Sequence, residues 1–349
     1  MASSDNTEKC TSIIQFPDPE FFKELEALHI DHAGMPPGID LRMREWIRGL
    51  FASLPKQPYL RPRIPVEIED KQVGRFSVRL YRPPQPQAAI LMFHGGGWIH
   101  GDVTNDEEFA IFFASELEAL VMGVNYSLAP EHPFPSALDD CYEALSQIGT
   151  FNRVALWGTS AGGNLAAALA LRVSQEEHPS PVRQLNLVVP VTKPHPILEE
   201  VIGLYTKDAS NVTLPPPPEH HCPTHITVAG MDPLCNQGIE YAVRLQEVGV
   251  DAQLEIVPGV PHDFTMVRNA RATKQWTEPS SPYFPPLEDC LGEVGPAFVD
   301  KLAQLLCTVK RRDVARRKGK ELSGGHDVRF NFSYEGHHSR IFAEICQYA

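Results

Sequence analysis

The pentapeptide Gly158-Thr159-Ser160-Ala161-Gly162 follows the apolar run Arg153 to Trp157 and precedes an Ala/Leu-rich stretch, Leu165 to Leu171. A G-x-S-x-G pattern between a strand and a helix spells a sharp turn that lifts a serine hydroxyl above a sheet, the flanking glycines avoiding clashes a Cβ would make. As a bare pattern it also describes an ordinary strand-to-helix turn, so its position carries the meaning. A serine hydroxyl is a poor nucleophile until a base takes its proton, and that base must be a histidine oriented by a carboxylate. Fourteen histidines are available. His262, in Gly259-Val-Pro-His-Asp-Phe264, follows the last strand-like run, from which a loop can return over the serine. Asp232, in Gly230-Met-Asp-Pro-Leu234, directly follows the run His225 to Ala229. Their separation of 30 positions (262 − 232) accommodates one helix, Ile239 to Gln246, and one strand. Asp263 is the weaker alternative, since a sequence neighbour of the histidine is badly placed to bond its ring.

A second motif, His94-Gly95-Gly96-Gly97-Trp98, follows the run Ala89 to Phe93. Consecutive glycines let backbone N–H groups approach a ligand closely. With the N–H of Ala161 they would stabilise the oxyanion of a tetrahedral intermediate. A phosphate loop is the competing reading, but G-x-G-x-x-G spacing and a Walker lysine are absent. The chemistry predicted is acyl transfer through a serine.

These residues need a scaffold that brings several loops to one edge. Short apolar runs alternate with helical patterns from Ala88 onward, which predicts βαβ units and a largely parallel sheet. Strands are expected at Ala89 to Phe93, Leu120 to Asn125, Arg153 to Trp157, Leu185 to Pro190, His225 to Ala229 and Ala252 to Val257, preceded by Val66 to Glu69 and Phe76 to Tyr81. Ser136 reads as a capping-box start of a helix running to Ser146. Phe109, Phe112, Phe113 and Leu117 share the face of another. Met43, Trp46, Ile47, Leu50 and Phe51 form a helical stripe that must pack on something. Phe298, Leu302, Leu305 and Leu306 suggest a closing helix. The reading divides the chain into an N-terminal helical segment 1–55, a catalytic α/β domain 56–312 and a basic tail 313–349.

Composition narrows the rest. The chain has 349 residues, 42% hydrophobic and 21% charged, enough for a sizeable core. Its 31 basic against 44 acidic residues give a net charge of −13, which repels phosphate backbones and anionic membranes. Nucleic acid is therefore not an expected partner. The first residues lack a basic region followed by an apolar one, and no stretch is apolar over the ~18 residues of a membrane helix, so a cytoplasmic location is expected. Seven scattered cysteines do not form a disulfide framework. His220, His221, Cys222 and His225 have metal-ligand types but no paired spacing, and no metal or cofactor is expected. Asn211 and Asn331 stand in glycosylation sequons that matter only on secretion.

HGGGW, the segment Tyr126-Ser-Leu-Ala-Pro-Glu-His-Pro-Phe-Pro-Ser-Ala-Leu-Asp-Asp140, GTSAGGN, DPL and PHDF occur in order between Ile90 and Phe264, half the chain. Together they resemble the hormone-sensitive-lipase-like family of α/β hydrolases, and more narrowly its fungal secondary-metabolism esterases. The resemblance implies the α/β-hydrolase fold with an N-terminal helical cap, no cofactor, and action on a small or medium acyl ester. It implies a catalytic triad of Ser160, Asp232 and His262, oxyanion donors Gly96, Gly97 and Ala161, and supporting roles for His94, Gly95 and Glu131. Phe134, Trp98 and the N-terminal helices would then line the acyl site.

Three departures stand out. Ser127 occupies a position where the family has arginine, so an ion pair through Glu131 is expected to be missing. Thr159 replaces the commoner aspartate. The segment Pro190 to Ile226, ending in Pro215 to Pro218, is short for a cap, which predicts a widened acyl pocket. The rival functions are an acylamidase, a carboxylesterase-like dehydratase, and a catalytically silent small-molecule receptor. A monomer and a homodimer are both compatible with the sequence.

Overall fold

A computed structural model describes residues 17–29, 41–53, 62–149, 151–176, 181–218, 221–267 and 270–277. The suggested helix around Leu302 and the tail 313–349 lie outside the described residues.

Eight strands form one sheet in the order β1-β2-β4-β3-β5-β6-β7-β8. They are β1 (Glu67–Val73), β2 (Phe76–Arg82), β3 (Ala89–Phe93), β4 (Leu120–Asn125), β5 (Val154–Thr159), β6 (Val182–Val188), β7 (Thr224–Ala229) and β8 (Ala252–Val257). β1 pairs antiparallel with β2, and β2 with β4. Every pair from β4 through β3 to β8 is parallel. Strands β3, β5 and β7 are buried throughout, as inner strands of a parallel sheet covered on both faces should be. β1 differs. Expected to end at Glu69, it continues through Asp70 and Lys71 to Val73, is exposed along most of its length and pairs on one side only. The chain reverses at Gly74, whose φ of +54° suits a residue without Cβ.

The helices are α1 (Pro19–Ala27), α2 (Leu41–Ser53), α3 (Glu107–Glu116), α4 (Ser136–Gln147), α5 (Ala161–Ser174), α6 (Glu199–Tyr205), α7 (Cys235–Glu247) and α8 (Arg271–Thr277). Two apolar clusters cover the two faces of the sheet. One joins Ala137 and Cys141 of α4, Leu165 and Leu169 of α5 and Tyr241 of α7 to Leu91, Leu156 and Leu187 of the strands. The other joins Phe21 of α1, Phe109 and Phe113 of α3 and Trp276 of α8 to Met92, Trp157 and Val257. Helices on both faces of a mostly parallel sheet make this the expected α/β architecture. Ser136 is a correction: it is the first helical residue, Pro135 stands at the cap position, and no side chain caps α4.

β3 and β5 are neighbours, and the chain leaves β3 towards β4 on one side but leaves β5 towards β6 on the other. The crevice outside the carboxyl ends of β3 and β5 is thus a topological switch point, where open α/β sheets place their ligands. The glycine run and Ser160 both sit there.

One buried carboxyl lies away from that edge. Glu255 of β8 is buried; Thr227 Oγ1 stands 3.4 Å from its Oε2, and Trp276 Nε1 donates to Thr227 Oγ1 at 3.3 Å. Burial pushes its pKa up to about 9, against a weaker downward pull from the Thr227 hydrogen bond. A carboxyl whose pKa is raised on folding stabilises the fold fully at acid pH, and that contribution is lost as pH rises from about 4.5 through about 9. Glu255→Gln should therefore melt close to the native chain near pH 4.5 and several degrees above it, roughly 2–4 °C per kcal/mol, near pH 9. Parallel melting curves at the two pH values would refute the assignment.

Candidate active site

Ser160 stands between β5 and α5 with φ +55° and ψ −116°, a conformation L-residues rarely adopt. Its own hydrogen bonds hold it there. The Ser160 N–H donates to Val188 O at 2.9 Å, while Asn164 N and Val191 N donate to Ser160 O, each at 3.1 Å. Asn164 secures the following segments through Nδ2–H bonds to Val191 O and Val212 O.

The glycines of the turn are required by close approach. A Cβ on Gly162 would lie 2.1 Å from Phe93 O and 2.4 Å from His94 O, and one on Gly158 would lie 2.2 Å from Gly162 O. The serine turn is thus pressed against the end of β3, where the glycine run begins.

His262 and Asp232 meet the serine as chain order predicted. Ser160 Oγ lies 2.8 Å from His262 Nε2, and His262 Nδ1 lies 2.7 Å from Asp232 Oδ2. With Nδ1–H donating to the carboxylate, Nε2 keeps a lone pair for the serine proton. The other carboxylate oxygen, Asp232 Oδ1, accepts from Leu234 N at 2.7 Å, which fixes the carboxylate plane. All three side chains are buried. Burial alone would push the His262 pKa down, but Asp232, through charge and hydrogen bond, outweighs it and carries the pKa above 6.5, with Asp263 adding to the rise. Asp263 does not bond the imidazole; its Oδ2 is buried without a hydrogen-bond partner and burial raises its pKa.

The glycine run curls beside Ser160. Ile99 N and His100 N both donate to Gly96 O, at 3.1 and 3.0 Å, closing a tight turn. Gly96 and Gly97 have φ of +122° and +58°. A Cβ on Gly95 would lie 3.6 Å from Ser160 Cβ, which places this loop directly against the serine turn. His94 is sandwiched below: its ring stacks on Tyr126 with centroids 4.2 Å apart, and Tyr126 Oη donates to His94 O at 2.8 Å. Burial pushes the His94 pKa down to about 4, so the ring is neutral at physiological pH.

Three expectations need correction. Trp98 does not line an open acyl site. It is fully buried, stacked face to face on Tyr205 of α6 at 4.6 Å, while Phe134 meets the same Tyr205 edge-on at 5.8 Å. The segment 190–226, expected to leave the pocket wide, instead supplies α6 against the glycine run: Val201 Cγ1 would be 2.6 Å from a Cβ on Gly97. Finally, the ion pair on Glu131 exists. Its partner is Arg44 of α2, whose Nη1 and Nη2 donate to Glu131 at 2.8 and 2.7 Å. The loop around Ser127 has separate support, Ser127 N donating to Asp140 Oδ2 at 2.8 Å and Arg75 Nε donating to Asp140 Oδ1 at 2.6 Å.

Among the described residues no group of three His, Cys, Asp or Glu side chains is arranged to hold a metal ion. Nor is any described helix long and apolar enough to cross a membrane.

The family described as having the α/β-hydrolase fold matches residues 90–213 and 204–266. Esterase LipI of Mycobacterium tuberculosis is 31% identical over 303 residues, covering 76% of this chain and 92% of its own. The ethyl acetate hydrolase of Pseudomonas putida is 31% identical over 224 residues, covering 54% of this chain and 70% of its own. Among solved structures, the hyperthermophilic esterase of Pyrobaculum calidifontis shares the fold with a TM-score of 0.65 at 24% identity, over 74% of this chain and 95% of its own. The order of the motifs, the sheet topology and these matches converge: the chain belongs to the α/β-hydrolase fold family, in its hormone-sensitive-lipase-like branch of carboxylesterases.

Proposed function

We propose that the chain hydrolyses a small or medium carboxylic ester through an acyl-enzyme on Ser160, with Asp232 and His262 completing the triad. The observation that carries this reading is the continuous hydrogen-bonded chain from Ser160 Oγ through His262 to Asp232 at the sheet's switch point. In the first half-reaction Oγ attacks the ester carbonyl carbon as Nε2 takes its proton. The amides of Gly96, Gly97 and Ala161 receive the oxyanion, and the alkoxide leaves with the proton from Nε2. Water then attacks the acyl-serine with Nε2 as base, the carboxylic acid departs, and Oγ regains its proton. Asp232 holds the ring and stabilises its charged form. Glu131, His94 and Gly95 keep the glycine run in place, and α1 and α2 act as an N-terminal cap.

The acid should be short. α6 packs Val201 against Gly97 and Tyr205 against Trp98, which would set a wall to the acyl side of the site. A relative named for ethyl acetate hydrolysis is consistent with that size.

The test is covalent. A fluorophosphonate should label the Ser160 peptide by mass spectrometry, and p-nitrophenyl acetate and butyrate should turn over faster than the palmitate. No labelling would leave a silent receptor as the better reading, and preference for anilides would favour an acylamidase. Val201→Ala is expected to shift the optimum towards longer acids by one or two carbons, raising the butyrate-to-acetate ratio of kcat/KM roughly 3- to 10-fold, since a methylene in an apolar pocket is worth ~1 kcal/mol. An unchanged chain-length profile would remove α6 from the acyl pocket.

The pH profile follows from His262. A base must be neutral to accept a proton, so kcat/KM falls as pH drops through its pKa. Because Asp232 raises that pKa, the acid limb should sit above pH 6.5. Asp232→Asn should move the limb to lower pH while lowering the plateau. A limb that stays in place in that variant would mean another group titrates.

A further inference from the structure

We propose that Arg44 is a positioning residue for the oxyanion loop, making the docking of α2 a condition of turnover. The proposal rests on the ester-hydrolase reading above, and it concerns a side chain more than a hundred positions from the serine that no motif contains.

The guanidinium of Arg44 spans three acceptors on two loops. Nε–H donates to the carbonyl of Ile99, two residues beyond Gly97, and one Nη2–H donates to the carbonyl of Ala129. The Nη1 and Nη2 groups also grip both oxygens of Glu131. Those loops are already stitched together, since Ala129 N donates to Trp98 O at 2.9 Å. Arg44 therefore closes over the turn from Gly96 to His100, within which Ile99 N and His100 N donate back to Gly96 O.

The consequence concerns amide direction. Gly96 and Gly97 hold backbone conformations with positive φ, and glycine is the residue with most freedom to leave them. An oxyanion donor works only if it is aimed before charge develops. Arg44 braces the turn from outside, and a planar fork of five donors fits three fixed acceptors where a lysine ammonium would reach one or two. Arg44 is mostly enclosed, its side chain 18% exposed against 45% for Glu131. Ile47 and Leu50, one and two turns further along α2, are buried and seat the helix. The clamp is thus delivered from a helix early in the chain.

Arg44→Lys and Arg44→Gln are the variants, with active-site concentration set by fluorophosphonate titration. For p-nitrophenyl acetate, kcat should fall roughly 10- to 100-fold with KM within about 3-fold, short of the ~100- to 1,000-fold loss on deleting a donor outright. Affinity for an alkyl trifluoromethyl ketone, which forms a tetrahedral adduct on the serine, should fall in parallel with kcat/KM. Glu131→Gln keeps the two carbonyl bonds and should lose less than Arg44→Gln. Native kcat in Arg44→Lys, or a loss of rate matched by loss of titratable sites with kcat per site unchanged, would overturn the proposal. So would a trifluoromethyl ketone affinity that stays native while kcat falls. If the native chain neither labels nor turns over esters, the hydrolase reading falls first and this one with it.

Discussion

Ser160→Ala and His262→Ala are each expected to lower kcat for p-nitrophenyl butyrate by about 10⁵-fold or more, Asp232→Ala by about 10⁴-fold, and the triple variant little further than Ser160→Ala alone. The non-additivity follows from the geometry. With Ser160 gone, the base has no proton to take, so its further loss changes nothing. With His262 gone, the hydroxyl has no acceptor at 2.8 Å and remains a neutral alcohol. Asp232 costs less because the imidazole still carries a lone pair, though neither its tautomer nor its ring plane is then fixed by the bond at 2.7 Å. A residual rate above solution should survive, from the backbone donors and substrate binding alone. Steady-state rates on the single and triple variants decide the matter. Effects that multiply across the three sites would show independent roles, and retention of native rate in Ser160→Ala would end the mechanism.

Gly162→Ala should be the most damaging change that touches no reacting group. The added carbon would lie 2.1 Å from Phe93 O and 2.4 Å from His94 O, both backbone atoms. Neither can rotate away, so α5 must shift from the end of β3. That shift separates the serine turn from the glycine run, which in the proposed mechanism must act on the same ester carbonyl. A displacement near 1 Å costs on the order of 100-fold in rate, and backbone overpacking destabilises by about 1–3 kcal/mol. The expected result is a folded but less stable chain with at least ~100-fold lower kcat/KM. Gly203→Ala, in open space on α6, is the control and should behave as native. Native activity in Gly162→Ala would mean that the contact between the two turns relaxes without consequence.

How far the sequence discloses this molecule depends on whether the determining forces are local. The strands at Ala89 to Phe93, Leu120 to Asn125 and Ala252 to Val257 are found as read, because apolar runs between turn residues leave few other solutions. Ser160, His262 and Asp232 come together as read because each lies in a loop just after a strand at the same sheet edge, which chain order constrains. The start of α4 misled because serine before an acidic residue imitates a cap, while the proline ahead of Ser136 holds the cap position. Asp70 and Lys71 misled because β1 is an edge strand, and an edge strand tolerates charge. Arg44 left no local trace: its partners lie 55 to 87 positions away, and an arginine in an amphipathic helix reads as solvent-facing. Trp276, closing one apolar cluster from α8, was similarly unreadable as a lone aromatic in a polar stretch.

The backbone at Ser160 has a consequence for the history of this chain. At φ +55° a side chain is a burden of about 1–3 kcal/mol that glycine would largely escape. Under the proposed mechanism, Ser160 is therefore a position where stability and activity select opposite residues. A lineage screened for thermal endurance alone would drift towards glycine there, keep its fold and fall silent.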